Sequence, residues 1–104
     1  MKPEPFLLVF SQKLGAQQTV VDALDRIPEI PFWYAPFAHV VFFTSTLGAH
    51  ELGPRIHELI PGAEKAQWVV VQIDTTKAQG RLTLEAWRLI NEPQSPELKD
   101  KSRG

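Results

Sequence analysis

The sequence predicts a single α+β domain of ferredoxin-like type: a four-stranded antiparallel sheet with two helices on one face and a short helix added at the C-terminal end. Three observations predict it. Between Phe6 and Ile73 the hydrophobic period changes in the order strand, helix, strand, strand, helix, strand, which is the βαββαβ signature of a split βαβ sandwich. Prolines and a glycine punctuate that pattern at Pro28, Pro31, Pro36 and Pro61-Gly62. The length of 104 residues, with 43% hydrophobic content, supports one core but not two.

The elements follow in order. Residues 1–5 form a flexible lead with two prolines, and Phe6-Leu7-Leu8-Val9-Phe10 begins the first strand, which extends to about Gln12. After a turn at 13–15, Val20, Val21, Leu24 and Ile27 recur at helical spacing while Gln18, Asp22, Asp25 and Arg26 fall on the opposite side. Pro28 ends that helix. The aromatic run Phe32-Trp33-Tyr34 is a short strand, cut off by Pro36, and Ala38 to Thr44 is its hairpin partner. Ala49, Leu52, Ile56, Leu59 and Ile60 make the stripe of the second helix, in which Gly53-Pro54 predicts either a kink or 3₁₀ start, or a helix that begins only at Pro54 after a turn. Gln67 to Asp74 is the fourth strand. Thr83 then caps a short helix bearing Leu84, Trp87, Leu89 and Ile90. The domain therefore spans 6–91, and residues 92–104, with Leu98 as their one large hydrophobic side chain, are expected to be a disordered tail.

Several strands are apolar at consecutive positions, so both sheet faces carry hydrophobic side chains although two helices cover only one. A second copy is the expected cover for the other face. Phe6, Leu8, Phe10, Trp33 and Phe43 are the residues expected at such an interface.

Composition excludes several function classes. Eleven basic and 12 acidic side chains give a net charge of −1, so no global electrostatic footprint for nucleic acid or membrane exists. A local patch is the remaining route to nucleic acid, and Lys13, Lys77, Arg81 and Arg88 are its candidates; a solvated rim explains the same residues more simply. The absence of cysteine removes disulfides, thiolate metal sites and a cysteine nucleophile, and it fits a reducing, cytoplasmic setting. No apolar run approaches the roughly 20 residues of a membrane span, and no signal-peptide pattern opens the chain, so a soluble, unprocessed protein without a membrane partner is expected.

Catalytic signals are weak. His50-Glu51 and His57-Glu58 repeat at seven residues, which puts the imidazoles about 10.5 Å apart along a helix, too far for one metal ion. Asp74, His39 and Glu85 are the candidates for acid–base or metal chemistry, yet a turn acceptor accounts for Asp74 and an edge position for His39. No glycine elbow surrounds Ser11, Thr44, Ser45 or Thr46, and no Gly-Lys-Ser/Thr follows the isolated glycines. Phe32, Trp33, Tyr34 and Phe37 lack the interleaved basic residues of a single-strand binder. No cofactor or metal is expected.

The hairpin Trp33-Tyr34 and His39-Val-Val-Phe-Phe-Thr44, the fourth strand ending in Asp74, and the segment Gly80-Arg-Leu-Thr-Leu-Glu-Ala-Trp87-Arg-Leu-Ile-Asn91 together resemble the SinR-like family. This is the family related to the CRISPR-associated adaptation protein Cas-two, not the helix-turn-helix repressor of the same name. The similarity covers roughly residues 6 to 91. It implies a ferredoxin-like homodimer packed through the sheet, in a group where many members have no assigned activity. Nuclease-active members of the wider group place a metal-binding aspartate at the end of the first strand, where this chain reads Phe10-Ser11-Gln12-Lys13. Serine and glutamine are poor magnesium ligands, so the metal site is not carried over.

The resulting expectation is a non-catalytic homodimeric interaction module, associated through the resemblance with nucleic-acid or mobile-element biology. Two alternatives stand beside it. One is a metal-dependent nuclease with a relocated site at Asp74, His39 and Glu85; the other is a small-molecule-binding ferredoxin-like dimer whose pocket is lined by Trp33, Trp68 and Trp87.

Overall fold

The order of elements along the chain is the expected one. The computed structural model describes residues 2–94: β1 Glu4–Phe10, α1 Gln17–Asp25, β2 Phe32–Phe37, β3 Val40–Ser45, α2 Ala49–Leu59, β4 Trp68–Gln72 and α3 Leu84–Asn91. Short 3₁₀ turns at Gln12–Leu14, Ala63–Lys65 and Thr75–Lys77 join them. The sheet order is β2-β3-β1-β4 with every pair antiparallel, the arrangement of a ferredoxin-like fold. From residue 95 onward, the tail expected at 92–104 lies outside the described residues.

Hydrophobic alternation is resolved by strand register. Phe6 pairs with Phe43 and Gln72, and Leu8 with Val41 and Val70, so these side chains share one face with Phe10 and Trp33. That face meets Val20, Val21, Ala23 and Leu24 of α1 and Leu52 and Ile56 of α2, forming the main core. The Phe6 and Phe43 rings stack with centroids 5.5 Å apart. Two polar contacts tie the layers: the Trp33 indole donates to Asp25 Oδ1 at 2.8 Å, and the Trp68 indole donates to the Ala63 carbonyl at 3.1 Å.

Several boundaries differ from the sequence expectation by a few residues; β1 ends at Phe10 rather than Gln12, β3 spans Val40–Ser45 and β4 Trp68–Gln72. β1 begins at Glu4, inside the expected lead, because Pro5 keeps a carbonyl that accepts from the Ile73 amide at 2.9 Å. β2 runs through Pro36 to Phe37, and its pairing with β3 shifts register between Tyr34 and Phe37. α2 begins at Ala49 rather than at Pro54 and runs to Leu59 with the exposed Pro54 inside it, which offers no N–H to the His50 carbonyl one turn back.

The second sheet face is not left bare, which corrects the expectation that only a partner covers it. α3 lies across it, placing Leu89 and Ile90 on Phe42, with Leu7, Tyr34, Val40, Ile73, Leu82 and Trp87 around them. The Thr83 hydroxyl accepts from the Ala86 amide at 3.2 Å, capping the helix, and donates to Tyr34 Oη at 3.3 Å, fixing its start over β2. No helix among the described residues is long and apolar enough to cross a membrane.

Candidate functional site

The five expected interface residues lie on the helix-covered face. Phe6, Leu8, Phe10, Trp33 and Phe43 are all buried beneath α1 and α2, so the expected set has the wrong parity and none of them reaches a surface. The side chains that do reach one belong to the opposite parity. Pairing of Phe37 with Val40, Val40 with Val9 and Val9 with Val69 places apolar residues in line across all four strands on the second face; Val40 is half-buried against the α3 cluster, whereas Phe37, Val9 and Val69 lie outside it. Phe37 is 49% exposed, Val9 40%, Val69 51% and Val71, next along β4, 41%. Single exposed valines are ordinary; Val9, Val69 and Val71 are neighbours on one face and form a small exposed apolar patch.

This patch was hidden by the same feature that suggested an interface. In Phe6-Leu7-Leu8-Val9-Phe10 and Val69-Val70-Val71 neither parity is polar, so alternation alone cannot say which face the helices take. The residue pairs that decide it are non-local.

The catalytic candidates do not converge. Asp74 follows the C-terminal end of β4, near the start of β1, whereas His39 precedes β3 and lies at the other end of β1, where its ring meets Phe10 edge-on at 5.6 Å. β1 alone holds those ends about 20 Å apart, and no group of three His, Asp or Glu side chains among the described residues is placed to hold a metal ion. The Asp74 carboxylate is already engaged as a turn acceptor, taking the Thr76 hydroxyl at 2.6 Å and the Thr76 amide at 3.0 Å. These two bonds, the hydroxyl first, hold its pKa below the ordinary aspartate value. Glu85 belongs to the first turn of α3, whose cap is tied to β2.

The basic candidates are likewise divided. Lys13 sits in the turn after β1, at the Phe10 end of the sheet, and Lys77 in the turn after β4, at the Gln72 end, where its Nζ is 4.0 Å from Asp74. Arg81 lies in the segment leading to α3 and Arg88 in its last turn. One edge carrying all four is therefore not formed. The three indoles also part company: Trp33 and Trp68 pack on the helix-covered side and Trp87 on the other, so no shared pocket joins them. An open cleft of about 550 Å³ between the start of β1, the end of β4 and the end of α3 is lined mainly by polar groups, among them Gln72, Asp74, Asn91 and Gln94.

Compared with protein-family models, curated proteins and solved structures, the chain matches none. The reading of its function rests on its own residues.

Proposed function

We propose that this protein is a non-catalytic interaction module that works as a homodimer formed through its sheet. The observation that carries the reading is the exposed apolar side chains Val9, Val69 and Val71 on neighbouring strands, with Phe37 at the other side of the same face. Apolar surface removed from water on association contributes about 25 cal/mol per Å², and the two-fold symmetry of a dimer uses the same surface twice. The resemblance of Trp33-Tyr34, His39 to Thr44 and Gly80 to Asn91 to the SinR-like family supports the same assembly and implies a setting in nucleic-acid or mobile-element biology. The separation of Asp74 from His39 argues against a relocated nuclease centre, and the separation of the tryptophans against an aromatic ligand pocket.

The test is the solution mass of the full chain by light scattering across a concentration series. Twice the chain mass of 11.7 kDa, persisting to micromolar concentration, is the expected result. A monomer throughout that range rejects the reading.

A further inference from the structure

We infer that the two copies join edge to edge through β4, making one continuous eight-stranded sheet with the two-fold axis at Val70. The inference rests on the homodimer reading and specifies its geometry.

β4 is an outer strand, hydrogen-bonded only to β1 within the sheet. Gln67 O accepts from Ser11 N and Ile73 N donates to Pro5 O, each at 2.9 Å, so the odd-numbered residues turn their backbone groups inward. Alternation in an antiparallel strand then turns the N–H and C=O of Trp68, Val70 and Gln72 outward, toward an unoccupied strand position. The segment Trp-Val-Val-Val-Gln contains no proline, glycine or charge, the devices that normally protect an edge. The other edge is protected: β2 carries Pro36, and its register breaks between Tyr34 and Phe37. Only one of the two edges is therefore built to accept a strand.

A second copy fits this edge in a single, symmetric register. Antiparallel pairing about Val70 sets Val70 against its own copy and Trp68 against Gln72, so all outward donors and acceptors of those residues find partners. On the second face Val69 falls opposite Val71 of the other copy, and the reverse, which brings together the exposed valines of both chains.

The absence of native cysteine makes the geometry directly testable. Single substitutions Val70→Cys, Val71→Cys and Val9→Cys are introduced into the full chain and oxidised at a concentration where light scattering gives the dimer mass. Edge pairing holds the two copies of residue 70 about 5.5 Å apart, within disulfide range, but sets residue 71 diagonally at about 7–8 Å and residue 9 farther still. Covalent dimer forming at least about tenfold faster for Val70→Cys than for either other variant is the expected result. A dimer in which Val9→Cys links and Val70→Cys stays free overturns edge pairing while leaving the homodimer reading intact; a monomeric mass rejects both. Gln72→Pro gives an independent arm, because it removes an outward donor without touching the β1 ladder. It should weaken dimerisation about tenfold or more, since symmetry deletes the bond twice, with an unchanged far-ultraviolet circular dichroism spectrum. Unaltered dimerisation of that variant counts against the inference.

Discussion

Asp74 shows how a residue that looks catalytic is settled by its nearest neighbours. Its carboxylate is solvent-exposed and accepts two bonds from Thr76, and both favour the ionised form. A depressed folded-state pKa means that the turn gains stability above the unfolded aspartate value of about 3.9 and loses it as pH falls through the folded value. Thr76→Ala deletes the hydroxyl, the larger influence, and leaves the amide bond in place. The Asp74 carboxyl, followed by carbon-13 NMR titration, should then move its midpoint upward, toward the ordinary aspartate range. An unmoved midpoint would show that the hydroxyl contact does not form in solution. Lys77, 4.0 Å away and largely exposed, adds little to this turn, as is usual for surface pairs.

At the scale of elements, α3 is the piece whose existence was readable and whose place was not. Thr83 followed by Leu84, Trp87, Leu89 and Ile90 announces a capped amphipathic helix, and the structure has that helix from Leu84 to Asn91. Nothing in that spacing says which surface receives its apolar side. The same ambiguity misplaced the interface residues, since consecutive apolar positions in β1 and β4 satisfy either parity until the pairing of Leu8 with Val41 and Val70 is known. Pro36 misled in another way: a proline ends a central strand, but β2 is an edge and tolerates it. The contact of Thr83 with both Ala86 N and Tyr34 Oη gives the helix a distinct anchor. Thr83→Ala should cost about 1 kcal/mol, concentrated in α3. Amide hydrogen exchange is expected to accelerate across residues 84–91 while β1 amides keep their protection, and uniform acceleration through the sheet would refute a local anchor.

Across the whole molecule, two hydrophobic clusters of unequal size share one sheet, and this inequality predicts how the protein opens. The cluster under α1 and α2 draws on every strand and includes Leu8, Phe43, Leu24 and Ile56, all fully buried; the cluster under α3 centres on Phe42, Leu89 and Ile90. A short helix held by the smaller cluster separates before the rest of the fold, because releasing it leaves the main core and the strand ladders untouched. Leu8→Ala should lower global stability by about 2–5 kcal/mol and shift the urea midpoint of every probe together. Leu89→Ala should act mainly on the local equilibrium: Trp87 becomes exposed at denaturant concentrations where the main core is still folded, and α3 amides exchange far ahead of β1. The opened form bares Leu7, Val40 and Phe42 beside Val9 and Val69, widening the apolar band, so the Leu89→Ala variant should also bind a hydrophobic dye more strongly than the Leu8→Ala variant under native conditions. Coincident transitions for Trp87 and the sheet in Leu89→Ala would instead make α3 an integral part of a single cooperative unit, with the second face permanently closed over Phe42.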